Sequence, residues 1–343
     1  MNHSALLRQP LEGDFIESTD SLIFDVKGLL HPPDRVIAYV RYVPHPHGER
    51  LRQEQRFRKL YDLDERQSFL SECFRDYLYF DPVFNREMQG VPRSKVMEYH
   101  DPRDKVRQMT RSSALNHLEA RSNELLDLLK SATNLPTANF GISGSLLVGM
   151  HTNTSDIDLI VYGRDSGTKV VEALQAIRHQ GGPTRPYRAP ELWRLRESRL
   201  MSKSMTLEDF AWHEERKSLQ GVFRERDYFI RCVKNPGEVC ERYGDNRYLP
   251  LGQATIEAVI VDDSEAIFTP SIYSIKCSHV IEGPGGVDPS LIVSFRGRFC
   301  QQAKTGERIL AKGRVEKVVG LATEHFRLII GEGRKDCLIV RRG

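Results

Sequence analysis

Apolar and polar positions along this 343-residue chain change period three times. From about Gly13, "SLIFDVKGLL" and "RVIAYVRYV" alternate as strands do, a polar loop "PHPHGERLRQEQ" follows, and "LDERQSFLSECFRDY" takes up helical spacing. This predicts a small α/β unit over residues 1–110, whose role the sequence leaves open. The second block, residues 111–248, opens with "SSALNHLEARSNELLDLLKSAT", in which Leu115, Leu118, Leu125 and Leu129 recur on one helical face. A short strand "ANFGIS", a second strand "DIDLIVYG", a helix from Ser166 through "SGTKVVEALQAIRHQ", a basic helical segment and a strand "DYFIRCVK" follow. In the third block, residues 249–343, six short strand patterns run from "ATIEAVIVD" to "DCLIVRR", separated by Gly turns and with no helical stretch between them. That spacing predicts a small closed or partly open β-barrel, and an OB-type barrel is one form it takes. The expected class is α+β: a mixed-sheet central domain between an N-terminal α/β unit and a C-terminal barrel.

Composition changes this picture little. An apolar fraction of 39% with 28% charged residues describes a globular chain without collagenous or disordered bias. A net charge of +3 implies no polyanionic partner by itself, so any basic surface has to come from local clustering. The N-terminal residues lack the apolar core of a signal peptide and no run approaches bilayer length, so a cytoplasmic protein without membrane contact is expected. Cys73, Cys232, Cys240, Cys277, Cys300 and Cys337 include no C-x-x-C pair, which argues against a zinc ribbon and for reduced thiols.

The chemistry concentrates in "GISGSLLVGMHTNTSDIDLIVYG". Aspartate is a poor strand former, yet Asp156 and Asp158 sit at a strand that otherwise reads well. Side chains alternate along a strand, so these two carboxylates share a face with Cα atoms roughly 6.5–7 Å apart. Two acids held so close repel unless a cation lies between them, and hard oxygen ligands suit Mg²⁺. Ile157, Leu159 and Val161 occupy the other face, for a helix to cover. Upstream, Gly144 lets the backbone approach a ligand, Ser145 offers a hydroxyl and an amide, and a helix beginning in "SLLVGM" would present N–H groups to an anion. Other readings of these residues fail. Met150 and His151 stand where a P-loop needs Lys and Ser/Thr, Ser145 replaces the closing Gly of a nucleophile elbow, and no calcium-loop Gly and Glu follow the aspartates.

Gly144-Ser145, ten intervening residues and then Asp156-Ile157-Asp158 resemble the signature of the polymerase β-like nucleotidyltransferases, a superfamily that includes CCA-adding enzymes, poly(A) polymerases and aminoglycoside nucleotidyltransferases. The resemblance spans about residues 113–235, and the three-block layout is similar to that of predicted nucleotidyltransferases. It implies that Gly144 and Ser145 hold a nucleoside triphosphate and that Asp156 and Asp158 bind Mg²⁺ or Mn²⁺. It also implies transfer of a nucleoside monophosphate with release of pyrophosphate. The family's third carboxylate lies on a later strand, but "ERDYFIRCVK" carries Ile230 and Arg231 at its centre. Asp227 is the candidate, with Glu225 and Glu257 as alternatives. Should none serve, the domain binds nucleotide or nucleic acid without turnover.

Among further cations, Lys217 and Arg224 are candidates to neutralise a triphosphate, and His151 is a loop residue near the motif. Arg185, Arg188, Arg194, Arg196, Arg199 and Lys203, interleaved with Tyr187 and Trp193, read equally as an RNA-tracking segment or as a solvated helix. In the barrel block, Val293, Phe295 and Phe299 would face a core, with Ser294, Arg296 and Arg298 outward and joined by Lys312 and Arg314. RNA is the acceptor these features favour slightly over a small molecule or protein.

Overall fold

In the computed structural model, which describes residues 8–199, 205–321 and 323–342, the chain is mixed α+β. Strands β1 (Phe15–Ser18), β2 (Ile23–Val26), β3 (Arg35–Pro44), β4 (Arg50–Arg52) and β5 (Gln55–Lys59) precede helix α1 (Leu63–Cys73), and β6 (Leu78–Asp81), β7 (Arg86–Pro92) and β8 (Val96–His100) follow. They form one antiparallel sheet whose main path is β4-β5-β3-β2-β1-β8. Asp62 starts α1 by accepting from the amides of Asp64 and Glu65. Alternation gives this sheet two apolar faces. Ile16, Phe24 and Val40 pack with Leu70 of α1, whereas Phe15, Ile23, Tyr42 and Phe57 pack with Val148 and Met150 beside the Gly-Ser turn. The first ninety residues thus build a wall of the motif-bearing region.

Next come α2 (Pro102–Arg111), α3 (His117–Thr133), β9 (Phe140–Ile142), the single turn α4 (Gly144–Leu147), β10 (Ile157–Tyr162), α5 (Arg164–His179), β11 (Thr184–Arg185), α6 (Ala189–Ser198), α7 (Leu207–Arg216), β12 (Gln220–Phe223) and β13 (Arg226–Val233). Asn116 and Glu119 close a capping box that starts α3 after Leu115, so Leu115 falls outside the helix. β10 is flanked by antiparallel β9 and parallel β13, and α3 packs against it. α5 begins at Arg164, two residues before the start expected from sequence.

All six barrel-block patterns form strands: β14 (Asn246–Asp262), β15 (Ser271–Glu282), β16 (Pro289–Ser294), β17 (Arg308–Gly320), β18 (Glu324–Ile329) and β19 (Cys337–Val340). This sheet curls. β14 pairs with β15 and also with β17, and the pairings continue β15–β16–β18–β17, with β19 added on β17. Ile256, Tyr273, Ile292, Leu328 and Leu338 fill its interior. One expectation is corrected: "LIVSFRGRFCQ" is not a single strand. β16 ends at Ser294, a 3₁₀ turn covers Gly297–Phe299, Arg296 donates from Nε to the carbonyl of Gly331, and Arg298 donates to that of Arg199. These two arginines satisfy carbonyl groups and are not an outward row.

The chain forms two compact units where composition suggested three blocks. One runs to Pro82 and adds Arg86–Val170 and Arg226–Tyr243; the other combines Val83–Asn85, Val171–Glu225 and the segment from Gly244. The N-terminal sheet and the motif share a unit because they share an apolar cluster. All six cysteines are free. No helix among the described residues is long and apolar enough to cross a membrane.

Within the first unit, buried Glu12 accepts from Arg231 at 2.6 Å, from Lys27 at 3.0 Å and from the amide of Gly28 at 2.6 Å. Removing one partner from a buried charge network leaves the others uncompensated. Glu12→Ala should therefore destabilise this unit by about 3 kcal/mol, read as a lower urea midpoint at unchanged slope.

Candidate active site

The Gly-Ser turn is dictated by its contacts. After β9 the chain is extended at Ser143 and then turns left-handed at Gly144, with φ +63°. A Cβ added at Gly144 would lie 1.8 Å from Oδ2 of Asp158, so no other residue fits both the angle and the space. Ser143 fixes the turn from both sides: its amide donates to the carbonyl of Asp158 at 2.9 Å and its hydroxyl to the carbonyl of Gly13 at 2.6 Å. The Ser145 hydroxyl makes no hydrogen bond with any described residue. The expected helix shrinks to four residues, Gly144–Leu147, ending before Gly149 at φ +67°. A macrodipole needs several turns, so the anion-attracting groups here are individual amides and the Ser145 hydroxyl.

On the adjacent strands, the register pairs Ile157 with Tyr228 and Asp158 with Phe229. Extended by one residue, it sets Asp227 opposite Asp156, on the face that carries Asp158, at the inter-strand spacing of about 4.8 Å between backbones. Burial and the neighbouring Asp156 push the Asp158 carboxyl up to about 7, against the opposing charges of Arg231, Lys59 and Arg41. Further along the same face, Arg231 lies beside Ile160 and is engaged by Glu12, 3.9 Å from Asp25. The strand centre therefore carries a cation where a third acid was sought, and Asp227 stands two pleats earlier on that face, with Phe229 between them opposite Asp158. Glu225 is exposed in the turn between β12 and β13. Glu257 belongs to β14 of the other unit, in an ion pair with Arg341 at 3.6 Å.

The N-terminal sheet supplies residues that the sequence did not single out. Arg50 donates to the carbonyl of Met150 and to Thr152, both at 3.2 Å, and Arg226 donates to the carbonyl of Asn153 at 2.5 Å, so the loop leading into Asp156 is held at both ends. Tyr42 pairs with Lys59 in the β3–β5 ladder. Lys59 lies close enough to feel both Asp156 and Asp158, and burial followed by the neighbouring Arg41 pulls its ammonium down to about 8. Arg50 falls in what reads as a polar loop, and Tyr42 and Arg226 in plain strand patterns, so nothing in the sequence singles these residues out.

Other expected site residues have structural duties. Lys217, offered as a triphosphate cation, is buried between Glu214 and the carbonyl of Arg298, 2.7 Å from each. Arg224 is exposed in a left-handed turn, φ 54°. His151 contacts the cap residue Asn116 at 3.2 Å. In the basic segment, Arg185 grips Glu191 through both terminal nitrogens, Arg196 donates to the carbonyl of Met205, and Arg199 bonds Gln220 and Glu214. Lys203 lies outside the described residues. In the barrel, Arg314 pairs with Glu316 and Glu332, and Lys312 with Glu282. Elsewhere Glu17, Glu98 and His100 bring three ligand atoms within 4.8 Å of one another, although Arg52 already holds Glu17 at 2.6 Å.

No family model matches the sequence, and no solved structure matches it. The uncharacterized protein MJ1086 of Methanocaldococcus jannaschii is 30% identical to it over 333 residues, covering 94% of this chain and 95% of that protein. At that identity over nearly the whole of both chains, this protein belongs to the same family as the Methanocaldococcus jannaschii protein.

Proposed function

We propose that the chain is a polymerase β-like nucleotidyltransferase that transfers a nucleoside monophosphate from an NTP to an acceptor hydroxyl. The observation that carries this reading is the packing of the Gly144 backbone directly onto the Asp158 carboxylate, with Asp156 and Asp227 on the same face. The donor set fits a divalent cation. Three oxygen-donor side chains share one face, and the Asp158 carboxyl is raised by burial and then by the neighbouring Asp156, a cost that Mg²⁺ or Mn²⁺ would relieve. Asp156 and Asp158 would hold the metal, with Asp227 completing the set. Bound there, the metal supplies charge neutralisation at the phosphates.

The chain's own groups do the rest. The amides at Gly144 and Ser145 and the Ser145 hydroxyl hold the phosphate chain. Asp227 takes the acceptor hydroxyl's proton as the acceptor oxygen bonds to the α-phosphorus and the bond to pyrophosphate breaks. RNA remains the favoured acceptor class: the curled sheet, with its ring of pairings and parallel β16–β18 contact, supports the OB-like reading. Against this, the internal pairing of Arg185, Arg196 and Arg199 weakens the argument from the basic segment. A second reading, a nucleotide-binding module without turnover, is favoured by Arg231 at the centre of β13.

With Mg²⁺, each NTP in turn and total cellular RNA, the purified protein should release pyrophosphate, and Asp156→Ala/Asp158→Ala should reduce release by about 100-fold or more. Metal-dependent NTP binding without release under any acceptor condition would favour the binding module. The Asp158 carboxyl gives a separate test. Its folded value lies above the unfolded one, so the native state holds the extra proton, and metal-free stability falls as pH rises from about 4 through about 7. Asp158→Asn should raise the metal-free Tm at pH 8 by about 2–4 °C and abolish the Mg²⁺-induced rise in Tm that the wild type gains with increasing pH.

A further inference from the structure

Beside the aspartates, the β3–β5 ladder of the N-terminal sheet presents two cations, Arg41 and Lys59, whose charges reach Asp156, Asp158 and Asp25 but which form no ion pair within 4 Å among the described residues. Pairing along β2 and β3 jumps from Phe24↔Val40 to Ile23↔Tyr42, so Arg41 is the extra residue of a β-bulge. A bulge breaks alternation and re-aims a side chain. Here it leaves Arg41 and Tyr42 on one face, where the charge of Arg41 reaches Asp25, Asp158 and Lys59. Arg41 donates a single hydrogen bond, to the carbonyl of Leu60 at 3.3 Å. The half-buried ammonium of Lys59 makes no hydrogen bond or ion pair with any described residue. Both cations flank the Tyr61 ring, with Lys59 Nζ at 4.9 Å and the Arg41 guanidinium at 5.7 Å from its centre. That ring is 58% exposed.

A partly buried cation without a direct ion pair costs stability, and an exposed aromatic ring beside two such cations adds little to the core. Both features make sense if a ligand completes them. The ligand has to carry several negative charges next to the position where Asp156 and Asp158 gather positive charge, and a flat ring at one end. A metal-bound nucleoside triphosphate has that form. An RNA acceptor also carries phosphates, but one per nucleotide, whereas a triphosphate concentrates its charge on three adjacent phosphorus atoms.

We propose that Arg41, Lys59 and Tyr61 are the nucleotide subsite of this protein, with Arg41 and Lys59 binding the phosphate chain and Tyr61 stacking under the base. This rests on the nucleotidyltransferase reading and gives the N-terminal sheet a direct part in substrate binding. It also makes nucleotide choice a property of the first hundred residues. Stacking tolerates any base, so the subsite takes purine and pyrimidine triphosphates, the larger rings more tightly.

The test is calorimetric titration of the full chain with ATP, CTP, GTP, UTP, inorganic tripolyphosphate and a short oligoribonucleotide, each with Mg²⁺. Lys59→Met and Arg41→Met should each weaken NTP and tripolyphosphate binding by about tenfold, while Lys59→Arg stays within about threefold of wild type. Tyr61→Ala should weaken NTP binding by about tenfold or more with tripolyphosphate unchanged, and Tyr61→Phe should bind as wild type does. Tyr61 is exposed, so its variants keep the test open should a cation variant fail to fold. Wild-type NTP binding that needs Asp156 and Asp158 but is indifferent to Arg41, Lys59 and Tyr61 would overturn the subsite and leave nucleotidyl transfer standing. No NTP binding by the wild type would overturn both. Loss of oligoribonucleotide binding alone in Lys59→Met would overturn the subsite in favour of an acceptor surface.

Discussion

Asp156 and Asp158 repel each other, and Gly144 packs against the second of them so closely that a methyl group would collide with its carboxylate. Much of the first unit can be understood from that juxtaposition. The left-handed turn at Gly144 is possible without strain only for glycine, and it is pinned by Ser143 to the strand carrying Asp158 and to the N-terminal segment at Gly13. An acidic pair in this position is costly for folding by itself. Within the fold, the charges of Arg231, Lys59 and Arg41 oppose that cost.

Around the pair, positive charge comes from four strands: Arg41 from β3, Arg50 from β4, Lys59 from β5 and Arg231 from β13. They are treated differently. Arg50 is spent on backbone carbonyl and hydroxyl groups of the motif loop, and Arg231 is met by Glu12. Arg41 and Lys59 feel the aspartates but form no ion pair within 4 Å among the described residues. Position decides which cations hold the protein together and which remain for a ligand, and residue type does not.

The second unit makes the same point in reverse. Lys217, Arg199 and Glu214 form a buried network, Arg185 clamps Glu191, and Arg296 and Arg298 tie down carbonyl groups. In the sequence these residues are indistinguishable from a surface that tracks phosphate. Long cationic side chains serve either purpose equally well, and only their packing partners tell the two apart.

Local rules made much of the architecture legible in advance. The alternation of β2 and β3, the helical leucines of α3, the strand identity of β10 and β13 and the six strands of the last block follow from period and turn residues, because each depends on neighbours within a few positions. The Gly-Ser turn and aspartate pair were legible too, since their spacing along the chain is itself the chemical signal. What depended on distant segments meeting was not. The register that sets Asp227 opposite Asp156, the bulge that leaves Arg41 and Tyr42 on one face, the closeness of Lys59 to the aspartates and the division into two units all arise from long-range pairing and shared apolar clusters. A sequence fixes which faces its strands carry, but which faces come together is settled only when the whole chain buries them.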